Sequence, residues 1–125
     1  SIPVIGIATS PAEMCRRAGL PTLPEMTARA AALLGREDFE LRDDPEIYDE
    51  FIDPGYGRPS PRSLEAVRLC ARLEGVLLDP VYSGKVLAGL MALASRGRFA
   101  PGDPVVFLHT GGVNELLVHP EWIFP

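Results

Sequence analysis

Residues 74–85 read Glu-Gly-Val-Leu-Leu-Asp-Pro-Val-Tyr-Ser-Gly-Lys. Val76-Leu77-Leu78 is a continuous apolar run of the kind a strand buried on both faces shows, and Asp79-Pro80 breaks it. Val81-Tyr82-Ser83-Gly84 then opens a helix that carries Val86, Leu87, Leu90, Met91 and Ala94 at helical spacing and stops near Gly97. The pattern extends outward in both directions. Downstream, a turn at Pro101-Gly102-Asp103 precedes a second apolar run, Val105 to Leu108, which ends in His109-Thr110-Gly111-Gly112. Upstream, Ser60-Pro61 caps a helix whose stripe is Leu64, Val67 and Ala71, joined by Leu69 and Leu73, with Gly75 as its stop. Before that helix, Asp53-Pro54-Gly55-Tyr56-Gly57-Arg58-Pro59-Ser60-Pro61 holds too much Pro and Gly for a helix or a central strand. It predicts a loop, and Tyr56 is its one large side chain.

The amino-terminal third repeats the theme. Ile2 to Ala8 is another apolar run, and Ser10-Pro11-Ala12-Glu13 follows it as a capping box for a short helix ending near Gly19. Thr22-Leu23-Pro24-Glu25 repeats that signal, with Met26, Ala30, Leu33 and Leu34 on one face of a second helix and Gly35 as its stop. Arg36 to Asp53 is acidic and irregular, with a strand expected around Phe39 to Arg42. Strands alternating with helices predict an α/β fold, an open parallel sheet with flanking helices. In such sheets ligands bind outside the carboxyl ends of strands. Thr110 with Gly111 and Gly112, and Tyr82 with Ser83, therefore stand where a ligand is expected.

Composition narrows the partners. Among 125 residues, 12 Lys and Arg stand against 17 Asp and Glu, a net charge of -5. An acidic protein offers nothing that attracts nucleic acid or an anionic membrane. No apolar run approaches the roughly 20 residues of a membrane span, and the start lacks the pattern of a signal peptide, so a cytoplasmic location is expected. Cys15 and Cys70 are isolated, with neither metal-ligand spacing nor a disulfide framework, and read as half-buried small apolar residues. Lys85 is the single lysine beside eleven arginines, so any amine-based covalent chemistry would have to use it. Its plain reading is a solvated residue near a helix start.

Three ordered motifs now carry a resemblance: residues 55–59, Gly-Tyr-Gly-Arg-Pro; residues 74–85; and residues 107–112, Phe-Leu-His-Thr-Gly-Gly. In order and spacing they resemble the pyridoxal 5'-phosphate (PLP) enzymes that include D-cysteine desulfhydrase and aminocyclopropane-carboxylate deaminase, with the tryptophan synthase β-like fold (fold type II). The similarity runs from the Ile2–Ala8 strand to Gly112 and is weakest from Pro11 to Asp53. It implies that residues 1–125 are one α/β unit, the carboxyl-terminal portion of such an enzyme. The family's Schiff-base lysine lies in a Gly-Asn-Lys segment upstream, followed by the substrate-binding Ser and Asn and by a Gly/Thr-rich phosphate loop. None of these is in this sequence, and Lys85 aligns with a family lysine that is not the Schiff base. The chain alone is therefore expected to be inactive, and its missing amino-terminal half is the first partner implied. A homodimer and a small amino-acid substrate are the others.

By the same resemblance, Tyr56 and Tyr82 face the substrate and cofactor ring as catalytic residues, while Thr110, Ser83 and Gly111 are cofactor-binding. A phenol there can stack on a π system, hydrogen-bond a carboxylate or pass a proton. Read simply as residues, each tyrosine could also plug a loop and Thr110 could be a turn residue. The Thr110 hydroxyl resembles the one that meets the pyridine nitrogen, where it leaves the ring a weaker electron sink than a carboxylate would. His109 reads as a hydrogen-bonded neighbour and His119 as surface; no metal site is expected. The deaminases carry Glu and Leu where this chain has Ser83 and Thr110, and the desulfhydrases carry hydroxyl residues at both. The resemblance thus implies α,β-elimination of D-cysteine to pyruvate, sulfide and ammonia by the complete enzyme. L-Cysteate sulfo-lyase and aminocyclopropane-carboxylate deaminase are its variants, and a truncated, non-catalytic module is the reading from another class. After Gly112 the chain leaves the family pattern, reading Val113-Asn114-Glu115-Leu116-Leu117.

Overall fold

A computed structural model describes residues 2–39 and 45–122. Strand β1 (Ile5–Ile7) pairs in parallel with β2 (Glu46–Tyr48), Ile5 opposite Glu46 and Ile7 opposite Tyr48. Between them lie helices α1 (Ala12–Arg17) and α2 (Leu23–Leu33), and after them come α3 (Pro61–Glu74), α4 (Ser83–Ser95), the short α5 (Asn114–Val118) and a 3-10 turn at Pro120–Trp122. β2 was not foreseen, because Glu46-Ile47-Tyr48 carries no continuous apolar run. Of the strand expected at Phe39 to Arg42, Phe39 is not in a strand and the rest lies outside the described residues.

The helix boundaries follow local chemistry. Thr22 accepts from the Glu25 backbone N–H, and the Glu25 carboxylate accepts from the Thr22 N–H at 2.7 Å, closing the box that starts α2. Ser60 and Ser63 form the matching box at α3, and Gly75 ends that helix in a left-handed conformation at φ 65°. The box expected at Ser10 does not form. Glu13 instead binds Arg16 and Arg17 one turn on, at 2.7 and 2.9 Å, so its carboxylate is unavailable to reach back.

Helices α3 and α4 pack against each other through small residues. Ala66, Val67 and Ser63 of α3 are buried, as are Gly84, Lys85, Ala88 and Gly89 of α4. A Cβ on Gly84 would meet the Asp79 carbonyl oxygen at 2.6 Å and Val67 Cγ2 at 2.7 Å. One on Gly89 would meet Ile7 Cδ1 at 2.9 Å, so the same helix seats α3 at one end and β1 further along. The deepest face of α4 is therefore this small-residue face. The expected stripe of Val86, Leu87, Leu90 and Met91 is only half-buried, and Ala94 is exposed. At the far end Arg96 and Arg98 pair with Glu50 and Glu46 at 2.6 and 2.7 Å, exposed links that steady β2 modestly.

Two expected strands run without a ladder among the described residues. Val76–Leu78 and Val105–Leu108 have no assigned strand, and Leu77, Val106 and Leu108 are exposed. An apolar run becomes a strand only when another backbone takes its N–H and C=O groups, and within these residues none does. Likewise α2 buries Ala31 alone, leaving Met26, Leu33 and Leu34 exposed where a core face was expected.

The α3–α4 contact is directly testable. Gly84→Ala gains about 1 kcal/mol of helix propensity but drives a methyl into a backbone oxygen that cannot rotate away. A net loss of about 1–2 kcal/mol is expected in denaturant unfolding; an unchanged or raised midpoint would contradict the close approach.

Candidate active site

The turn between Leu78 and α4 is built around one carboxylate. Asp79 is fully buried and its Oδ2 accepts from the Val81 and Tyr82 backbone N–H groups at 2.7 and 2.6 Å. Its Oδ1 accepts from the Ser83 N–H at 2.8 Å and from the Ser83 hydroxyl at 2.5 Å. A negative charge at a helix N-terminus, taking its otherwise unpaired donors, is favourable twice over. Pro80 cannot donate, so the carboxylate is shared among the next three residues only. The result is a rigid corner that sets the direction of Tyr82.

Tyr82 meets Tyr56 across that corner. The two phenol oxygens are 2.9 Å apart, and the rings sit edge to face with centroids at 5.9 Å. The hydrogen bond to Tyr56 and partial burial push the Tyr82 phenol up to about 12, helped by the nearby charges of Glu115 and Asp79. At neutral pH that phenol is a donor and a flat surface, not a base.

The second turn lies beside the first. His109 Nδ1 accepts from the Gly111 N–H at 3.1 Å, so the ring proton is on Nε2, which donates to the Leu77 carbonyl at 3.1 Å. Gly112 presses against the first turn: a Cβ there would lie 2.5 Å from Asp79 Oδ1. Gly111, at φ +106°, has nothing within 4 Å of that position, which leaves open space over its backbone. Thr110 is exposed between them.

The structure thus brings together Tyr56, Tyr82 and the 109–112 turn. The Ser83 hydroxyl is buried and donates to Asp79 Oδ1. Lys85 is a correction. Expected as solvated, it is 1% exposed and donates to the Ile52 and Gly55 carbonyl oxygens, both at 2.7 Å. Burial pulls its pKa down, partly offset by Asp53. Asp79 and Lys85 are the residues sequence reasoning undervalued. An Asp four residues before a Ser at a helix start, and a sole lysine, were the available signals.

These surroundings fit one wall of a PLP site. A half-exposed phenol pair, a hydroxyl and a bare glycine backbone can meet a planar ring, while the chain's one lysine is occupied by two carbonyls. Among the described residues no cluster of metal-ligating side chains occurs. No helix of the described residues is long and apolar enough to cross a membrane.

Comparison with known proteins agrees. Residues 1–111 match the family model described as pyridoxal-phosphate dependent enzyme. A D-cysteine desulfhydrase of Salmonella schwarzengrund (strain CVM19633) is 40% identical over 121 residues, which is 96% of this chain and 35% of that protein. Another from Salmonella typhi is 43% identical over 99 residues, 78% of this chain and 30% of that protein. A crystal structure described as an ACC deaminase homologue superposes with a TM-score of 0.74 at 30% identity, covering 96% of this chain and 34% of its own. The chain spans about a third of the length of the relatives it matches. The fold is accordingly that of a fold type II PLP enzyme, a small parallel sheet with flanking helices.

Two outcomes follow from this geometry. Incubation with PLP and borohydride reduction should leave Lys85 unlabelled in mass-mapped peptides; stoichiometric label there would contradict its burial. The second concerns alkaline stability. Tyr82 titrates at about 12 in the folded state against about 10 unfolded, so between those values the folded state binds more protons and stability falls as pH rises. Tyr48 is also raised, by its hydrogen bond to Glu46, so the comparison must be between variants. Tyr56→Phe should make the loss between pH 10 and 12 shallower than in the unmodified chain; identical slopes would contradict a shared hydrogen bond.

Proposed function

This chain belongs to the PLP-dependent enzymes, and from that premise we propose that the complete protein eliminates sulfide from D-cysteine, yielding pyruvate, sulfide and ammonia with one water consumed. The observation that carries the reading is the 40% identity to a D-cysteine desulfhydrase over 121 residues, a span that includes Tyr56, Tyr82 and Thr110. Bound PLP supplies the electron sink that lets a bond at the substrate's α-carbon ionise and a β-substituent leave. The amine that holds the cofactor, and the phosphate loop, belong to the amino-terminal part of the complete protein.

The residues of this chain would supply the wall opposite. Tyr82, kept neutral by the hydrogen bond it shares with Tyr56, would stack on the ring, and Tyr56, accepting that bond, would keep its own O–H for the substrate carboxylate. Thr110 would offer a neutral hydroxyl where the pyridine nitrogen is expected, a setting that would suit expulsion of a good leaving group more than the opening of a cyclopropane. Gly111 lets the ring approach the backbone. Ser83 would lock Asp79, and thus the corner that carries Tyr82, beside the cofactor it is expected to help bind. The exposed apolar runs at 76–77 and 105–108 would receive the rest of the sheet, and the assembled protein would be a cytoplasmic homodimer, residues 1–125 forming its carboxyl-terminal portion.

The test is an assay of the complete protein for pyruvate from D-cysteine, α-ketobutyrate from aminocyclopropane-carboxylate and sulfite from L-cysteate. D-Cysteine should be turned over fastest, and Tyr82→Phe should lower its kcat/KM tenfold or more, equivalent to about 1.4 kcal/mol in the barrier. Preference for the cyclopropane or for cysteate would replace this substrate reading with that one.

A further inference from the structure

Lys85 carries a charge into the interior without touching the candidate site, and the mechanism above does not use it. Its two partners are informative. Gly55, whose carbonyl it holds, is the residue before Tyr56, and Lys85 itself lies three residues after Tyr82 at the start of α4. One side chain therefore ties together the segments that carry both phenols. We propose that Lys85 is a positioning residue, its ammonium fixing the 52–55 turn against α4 so that the Tyr56 hydroxyl is delivered to Tyr82. This rests on the tyrosine pair being part of the site, as proposed above.

Three observations support it. The hydrogen bonds that join residues 52–57 to the α4 segment, among the described residues, are those of Lys85 and the phenol pair itself. A cavity of about 450 Å³ lined by Phe51, Asp53, Ser60 and Lys85 also lies beside the turn. Tyr56 itself sits between two glycines, Gly55 and Gly57, at φ +139° and +70°, backbone positions that carry no side chain to pack it in place. A buried ammonium costs little only where its donors find partners, and two of its three are taken by carbonyls at 2.7 Å, with the charge of Asp53 nearby. The cost of burying it is what makes the tether specific, because a longer or shorter side chain would leave carbonyls or charge unpaired.

The complete protein, labelled with tyrosine carrying carbon-13 at the hydroxyl-bearing carbon, provides the readout. The Tyr82 signal is assigned by its loss in Tyr82→Phe, and its titration is followed in Lys85→Met. Tyr56, Asp79 and Glu115 are the titratable groups that bear on it. Freed from Tyr56, the Tyr82 phenol should move from about 12 toward the ordinary value near 10, as it should in Tyr56→Phe, with the far-ultraviolet circular dichroism unchanged. A folded Lys85→Met protein whose Tyr82 still titrates near 12 would overturn the proposal. Should Lys85→Met fail to fold, Lys85→Leu, which likewise has no donor, decides in the same way, and an unshifted titration in that folded protein again overturns. Failure of the site reading looks different. In that case Tyr82→Phe leaves turnover of D-cysteine unchanged, whether or not Lys85→Met shifts the titration.

Discussion

The carboxylate of Asp79 is the constraint from which the rest of this end of the molecule is built. Four hydrogen bonds from Val81, Tyr82 and Ser83 converge on this fully buried group. Removing a charge from water is tolerable here because its acceptor capacity is filled by backbone donors that a helix start would otherwise leave open. The corner fixes where α4 begins and which way Tyr82 leaves the chain. It also fixes how near the 109–112 turn can come, since Gly112 fits against Asp79 only because it has no side chain. Fold and candidate site share this one group.

Around that corner the chain solves two problems with small residues. Gly84 and Gly89 bring α4 within contact of α3 and β1, so the helix that starts at the site is also the one that anchors it. Precision at the phenol pair then follows from rigidity behind it, which is how a scaffold holds functional groups better than a free loop can. Tyr56 comes from such a loop. Its partner and its tether both come from α4, and the two contributions meet at a single hydrogen bond.

Much of this was legible in the residues. Proline at the first helical position and glycine after the last marked α3 at both ends, and the Thr22–Glu25 box marked α2, because capping is local chemistry. Strand pairing is not local. Val105 to Leu108 has the composition of a buried strand, yet it has no ladder among the described residues, and Glu46–Tyr48 has a ladder without that composition. Tyr56 and Tyr82 were readable as one site only through motif order, since 26 positions separate them and no periodicity links a loop to a distant helix start. Lys85 escaped because composition assigns lysine to water, and only the carbonyls of Ile52 and Gly55, thirty and more positions upstream, make its burial affordable.

The central claim is that the 79–83 and 109–112 turns, with Tyr56, form one wall of a PLP site in the complete protein. A crystal structure of that protein with PLP bound tests it most directly. The account predicts the pyridine ring seated against Gly111, its nitrogen within hydrogen-bonding reach of Thr110, and the Tyr56–Tyr82 pair facing it. A ring seated away from these two turns, or with the phenol pair on the far side of α4, would contradict the account.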